Sequence, residues 1–211
     1  MPPFKDHEGH NGWSERPGET YGTMSLGNAS PVETTLDRMY EQAHKAHPIL
    51  KDLAQDIAQK FGGEAMVPGL KGRERALEKA LAEYGGDATK LKDLARASVA
   101  FDSVDRVYEA LSDLEQRFEL QVKDRFAKPT AGGYRDVLVN FDIDGHTVEL
   151  QLHHRGILAV KEGPGHKLYE DIRKITDTAS LENRALTAEE VSKVDALLRE
   201  SRKLYSEAIK D

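Results

Sequence analysis

The sequence predicts an α+β protein: a mixed α/β sheet of about four or five strands packed by helices, with helical extensions at both ends. Three observations carry this. Capping boxes open helical patterns near both ends, at Ser30-Pro31-Val32-Glu33 and at Thr187-Ala188-Glu189-Glu190. Runs of period two occupy the middle of the chain, and two of them flank Asp144-Gly145, a strong hairpin signal. The elements follow one another as helices, strand, helix, strand, hairpin and helices.

Residues 1–29 read as a flexible tail or linker, since Gly9, Gly12, Gly18, Gly22 and Gly27 with Pro2, Pro3 and Pro17 leave no periodic pattern. His7 and His10 there are read as solvent-exposed spacers. Residues 30–65 form an N-terminal helical segment. Leu36, Met39, Tyr40 and Ala43 follow helical spacing, Pro48 is expected to break or restart the helix, and Ile49, Leu53, Ile57 and Phe61 carry it to Gly62-Gly63. A core over 66–178 comes next. It opens with a helix from Gly72 to Tyr84-Gly85-Gly86, followed by a strand over 94–101 and a helix from Ser103 to about Gln116. Residues 118–122 alternate as a half-buried strand. Residues 134–141 and 146–152 make the hairpin, and a single helix is expected from about Gly156 to Ile175. The last segment, 179–211, holds a C-terminal helix packed on the core through Val191, Val194, Leu197, Leu198 and Leu204.

Composition narrows the function. A net charge of −7 argues against a general nucleic-acid coat, whose binding rests on neutralising phosphates, but it leaves room for a local basic pocket. The chain has no cysteine, which removes disulfides, thiolate zinc sites and thiol nucleophiles, and fits a reducing cytosol. No apolar run approaches the roughly 20 residues of a membrane span, and no signal segment opens the chain. The expected site of action is therefore cytoplasmic, with no membrane partner.

The chemistry-bearing residues concentrate in two places. A basic set comprises Lys71, Arg73, Arg75, Lys79, Arg96, Lys123, Arg125 and Lys128, with Lys71, Arg75 and Lys79 spaced to line one helix face. Asp93 stands at the mouth of a strand, where a carboxylate suits magnesium, a hard cation that takes oxygen ligands. In Val148-Glu149-Leu150-Gln151-Leu152, Glu149 and Gln151 share a face opposite the apolar residues. Acidic residues among many cations are the composition of a metal-assisted phosphoryl-transfer site. Gly132-Gly133 delivers Tyr134 to the hairpin, with a ring able to stack on a base. His153 and His154 are adjacent on a strand and point to opposite faces, so they do not chelate one metal. His166 and Tyr169 share a helix face.

At these residues the chain resembles the RelA/SpoT family of nucleotide pyrophosphokinases, the (p)ppGpp synthetases, over roughly residues 66–175. The family's Lys-Asp, Pro, Gly-Tyr segment is met by Lys123-Asp124 through Pro129 to Gly133-Tyr134. Its Glu-x-Gln strand is met by Glu149-Leu150-Gln151, its His-x-x-Tyr by His166 to Tyr169, and its Asp-x-x-Arg by Asp93 to Arg96. The resemblance implies a nucleotidyltransferase-like fold that moves the β,γ-pyrophosphate of ATP onto a ribose 3′-hydroxyl of a purine nucleotide, making alarmones. It implies Asp93 and Glu149 as magnesium ligands and catalytic carboxylates, with Glu149 also acting on the acceptor hydroxyl. Lys71, Lys79, Arg96 and Lys123 are implied phosphate holders, and Tyr134 is implied to stack on the acceptor base. Arg75, Arg125, Gln151 and His166 complete the nucleotide-binding set. The chain departs from the family at Gly69, where arginine is usual, at Arg75, where serine is usual, and at Asp136-Val137-Leu138, where Ser-x-His is usual. Gly132 stands where asparagine is common. Such a chain resembles a small stand-alone synthetase or a growth-inhibiting toxin with a neutralising immunity or antitoxin protein. GDP or GTP, adenine nucleotides and the 3′ end of transfer RNA all stay open as acceptors. So does a degenerate member that binds nucleotide or a protein without turnover.

Overall fold

The computed structural model describes residues 30–209; the predicted tail with His7 and His10 lies outside them. Helix α1 spans Pro31–Phe61. The Glu33 carboxylate accepts from the Ser30 backbone N–H at 2.8 Å, and the Ser30 hydroxyl accepts from the Glu33 N–H, closing the capping box. Gly62, at a left-handed φ of 70°, ends it. Pro48 does not interrupt this helix. A proline in a helix interior costs about 3 kcal/mol, but Leu36, Leu50, Leu53 and Ile57 on either side of it are buried. At about 2 kcal/mol for each such side chain, burial outweighs the proline.

Strand β1 (Glu64–Met66) follows, a short element that periodicity did not foretell and that straddles the expected boundary at 65/66. Then come α2 (Arg73–Tyr84), a 3-10 turn over Ala88–Lys90, β2 (Arg96–Phe101), α3 (Val104–Arg117), β3 (Gln121–Asp124), β4 (Val137–Ile143) and β5 (His146–His154). Beyond the sheet lie α4 (Arg155–Glu162), α5 (Pro164–Leu181) and α6 (Ala188–Glu207). The helix expected over 156–175 is thus two helices. They part at Gly163-Pro164, because proline has no N–H to continue α4 but suits the first turn of α5. The strand expected over 118–122 begins only at Gln121, and Phe118 and Leu120 are a lead-in packed on the core.

The sheet has five strands in the order β1-β2-β5-β4-β3. Only β2 and β5 run parallel; β1, β4 and β3 each pair antiparallel with their neighbour. Residues paired across a ladder share a face, so the register sorts the side chains. Ala97, Val99 and Phe101 of β2, Val148, Leu150 and Leu152 of β5, and Val137, Val139 and Phe141 of β4 form one face. They make the main core with α1 and α3. The opposite face is polar. Its first row is Arg96, Glu149, Asn140 and Gln121; its second is Ser98, Gln151, Leu138 and Lys123; His153 of β5 faces it one step further along.

Candidate active site

The polar sheet face gains its remaining groups from the segments leading into α2 and β2. Lys71 lies just before α2, where its N–H donates to the Leu94 carbonyl at 2.9 Å and its own carbonyl accepts from the Tyr40 hydroxyl of α1. Lys79 comes from within α2. The two ammonium groups meet one oxygen of Asp93, at 2.8 Å from Lys71 and 3.0 Å from Lys79. Burial alone would raise the Asp93 proton affinity. The two lysines outweigh it and hold the carboxyl at about 2. Burial pulls Lys71 below its ordinary range even with Asp93 beside it, whereas Asp93 lifts the more open Lys79 above its own.

This geometry revises the one-face reading of Lys71, Arg75 and Lys79. Gly72 is the N-cap of α2, so Lys71 is not on the helix. Arg75 points outward, with its side chain 77% exposed and Glu78 at 3.5 Å. It therefore stands apart from the pair that converges on Asp93.

Arg96 and Glu149 are cross-strand partners. Glu149 accepts from the Gln151 amide nitrogen at 2.8 Å. Its carboxyl is pushed up, first by burial and then by the nearby Asp93. Two carboxylates near enough for Asp93 to raise the Glu149 proton affinity fit a divalent cation with oxygen ligands. Magnesium is commonly held by one or two carboxylates, with water and substrate phosphates filling the other positions. Among the described residues no set of three or more His, Cys, Asp or Glu forms a self-sufficient metal cage. Tyr84, at the end of α2, lies near Lys79, Asp93 and Glu149, and burial raises its phenol. Sequence reasoning missed it, because a tyrosine before two glycines reads as a helix end.

The second half of the site differs from the expectation. Tyr134 is not at the start of a strand but in the loop before β4, and it is only 3% exposed. Its hydroxyl donates to Asp136 at 2.9 Å and lies 3.4 Å from His153 Nδ1. Tyr205 of α6 packs against the ring edge-on at 5.6 Å. In this conformation the ring offers no open face to a base. Arg125 is likewise buried and bonds Asp136 at 2.6 Å, so it supports the loop instead of reaching outward. Lys123 is exposed on the edge strand β3, in register with Leu138. His166 lies on α5 beside Glu170, at 3.4 Å.

Helix α6 holds this half closed. Ser201 donates to the Gly132 carbonyl at 2.8 Å and Arg202 to the Ala131 carbonyl at 2.7 Å. Gly133 has φ +87° and lies so close to Arg202 that a Cβ there would sit 3.0 Å from its Cα. The paired glycines thus admit the close approach of α6. Tyr134, Ile157 and Tyr205 form a small buried cluster of their own. Lys161 of α4 adjoins it, 9% exposed, with its ammonium 5.5 Å from the Tyr134 ring centre. The signal for Lys161 was available: it falls four residues after Ile157 on an otherwise apolar helix face.

No family model matches the chain. In sequence it is similar to the (p)ppApp synthetase toxin Tas1 of Pseudomonas aeruginosa, strain UCBPP-PA14. The two are 29% identical over 188 residues, covering 76% of this chain and 42% of that protein. The chain therefore spans less than half the length of that curated relative. Among solved structures it is similar to one of the complex between the Type VI effector Tas1 and its immunity protein. The TM-score is 0.66 at 25% identity, with 84% of this chain and 98% of that one covered. Small alarmone synthetase 1 from Bacillus subtilis matches with a TM-score of 0.52 at 15% identity, covering 83% of this chain and 95% of that one. A GTP pyrophosphokinase family protein from Streptococcus pneumoniae matches at 0.51 and 20%, covering 87% and 92%. At these last two identities the likeness is one of fold, and it is the nucleotidyltransferase-like fold that the motif order implied. No helix among the described residues is long and apolar enough to cross a membrane.

Proposed function

From the premise that this chain resembles the RelA/SpoT-like pyrophosphokinases in motifs, in a sequence relative and in fold, we propose that it transfers pyrophosphate from ATP to the 3′-hydroxyl of a purine nucleotide. One observation carries the reading. The sheet register brings Arg96, Glu149 and Gln151 onto one polar face, and Asp93, which raises the Glu149 proton affinity, is ringed by Lys71 and Lys79. In the reaction the acceptor 3′-oxygen attacks the β-phosphorus of ATP. A new oxygen–phosphorus bond forms, the bond from the β-phosphorus to the α-phosphate oxygen breaks, and AMP leaves. Glu149 would take the hydroxyl proton, and its raised proton affinity suits a general base. Lys71, Lys79 and Arg96 supply positive charge against the transferred group, where preorganised cations contribute most to rate. Asp93 and Glu149 would hold magnesium, which when bound offsets phosphate charge and aligns donor with acceptor. Lys123, which shares the polar sheet face with Gln151, belongs to the proposed nucleotide site, while Arg125 acts through Asp136 on the Tyr134 loop. Acceptor stacking on Tyr134 requires the ring to leave the cover of Tyr205.

The name of the sequence relative favours an adenine nucleotide as acceptor, and its complex favours a dedicated immunity protein as partner for this chain too. Incubation with γ-labelled ATP, magnesium, and ADP, GDP or transfer RNA in parallel tests this. A labelled 3′-pyrophosphorylated adenine nucleotide with equimolar AMP is the expected product. A labelled guanine product or labelled RNA would reassign the acceptor. Absence of product from folded protein, with ATP binding retained, would favour a degenerate nucleotide-binding domain. Glu149→Gln is expected to lower turnover at least about 100-fold, the range of a lost general base.

A further inference from the structure

Lys161 is a buried cation with very little to hold it. Its side chain comes from the last turn of α4 and is 9% exposed. An ammonium has three donors; this one reaches a single hydrogen-bond acceptor, the Gln151 side-chain oxygen at 3.5 Å, and otherwise lies over the Tyr134 ring, 5.5 Å from its centre. Among the described residues no carboxylate lies within ion-pair distance of it. A cation at a helix C-terminus is favourable, but an exposed lysine serves that purpose without desolvation. Keeping the charge inside with so few partners is costly, which marks the residue as functional and not merely structural.

What Lys161 touches indicates the function. The Gln151 amide joins two charged groups: its oxygen faces the Lys161 ammonium, and its nitrogen donates to the Glu149 carboxylate at 2.8 Å. Turning the amide over would set NH2 against an ammonium and oxygen against a carboxylate. Both contacts would become repulsive, so the cation at one end selects the donor at the other. We infer that Lys161 is a positioning residue, which locks the Gln151 amide so that its nitrogen holds Glu149 in one orientation toward the acceptor hydroxyl. This rests on the pyrophosphokinase reading of the site.

The test compares the full chain with its Lys161→Met, Gln151→Leu and doubly substituted forms in steady-state pyrophosphate transfer, with thermal unfolding measured alongside. Lys161→Met is expected to lower kcat about 10- to 100-fold, the usual effect of losing a group that orients a catalytic one. KM for ATP should stay within about 3-fold, since the lysine does not bind ATP. Tm should be equal or higher, because an apolar side chain of similar length replaces a poorly paired buried charge. The double variant should be no slower than the slower single one, since both act through the same hydrogen bond. An unchanged kcat, a loss confined to KM, or losses that multiply would each overturn the inference. If Lys161→Met does not fold, the Gln151 side-chain NH2 resonances of the unsubstituted protein decide. A resolved pair protected from solvent exchange is expected, and an averaged, rapidly exchanging pair overturns the assignment. Failure of the unsubstituted protein to turn over with any acceptor overturns the pyrophosphokinase reading and this inference with it. Normal turnover with an indifferent Lys161→Met overturns the inference alone.

Discussion

His153 is fully buried on β5, and its Nε2 has no hydrogen-bond partner among the described residues. Burial, aided by the Lys161 charge, pushes the imidazole down to about 3 from its usual 6.5. The folded protein therefore keeps it neutral while the unfolded chain takes up a proton as pH falls. The stability this confers is complete above about 6.5 and is lost progressively toward pH 3. His153→Leu, of similar volume, should flatten the fall in Tm between pH 7 and pH 5, and thermal melts across that range check it. Asp93 shows the opposite hazard. Its one carboxylate offsets two ammonium groups, one of them buried. Asp93→Asn should cost about 3–5 kcal/mol, the penalty for stranding a buried charge, visible as a lower denaturant midpoint at unchanged slope. Activity lost in that variant is to be judged against its stability, whereas Glu149, which has no cation within ion-pair distance among the described residues, allows a cleaner substitution.

At the scale of elements, α6 does not pack on the main core, contrary to the expectation from sequence. It lies chiefly along α5, with Val191 exposed, and its C-terminal half is tied to the Tyr134 loop by the separate cluster of Tyr134, Ile157 and Tyr205. Tyr205→Ala should remove about 3 kcal/mol, the lower end for truncating a buried aromatic ring, and the loss should be local. Hydrogen exchange checks this: amides of α6 should exchange faster while those of β2 and β5 keep their protection. A uniform acceleration would show that α6 shares the fate of the whole core. The legibility of the chain divides along similar lines. The capping boxes at Ser30 and Thr187 and the Asp144-Gly145 hairpin turn could be read because each is closed by neighbours in sequence. Glu149 and Gln151 could be placed together on one face by the two-residue period alone. The convergence of Lys71 and Lys79 on Asp93 could not, since the cap at Gly72 puts one lysine off the helix. Nor could the burial of Tyr134, because its cover arrives from residues 201–209, about seventy positions further on.

Across the whole molecule, the net charge of −7 surrounds a compact set of cations at Lys71, Lys79 and Arg96. Capture of ATP should therefore be sensitive to ionic strength. KM for ATP should rise severalfold between about 50 and 500 mM salt, as the screening length shrinks from over 10 Å to a few ångströms, with kcat changing less. Initial rates at a series of salt concentrations check this, and a salt-independent KM would mean that the cations are not what ATP meets. The sheet order has a further consequence, for how the molecule is assembled in time. Strands β4 and β5 are joined by a tight turn and pair quickly, but β2 joins β5 in parallel, Arg96 against Glu149, across the whole of α3, β3 and β4. Such long-range parallel pairing is slow because the loop must close before any contact rewards it. The cations and Asp93 arrive with β2, so a half-folded chain holds Glu149 without its partners. Catalytic competence should appear only with the last long-range step of refolding, and not with the first burst of secondary structure.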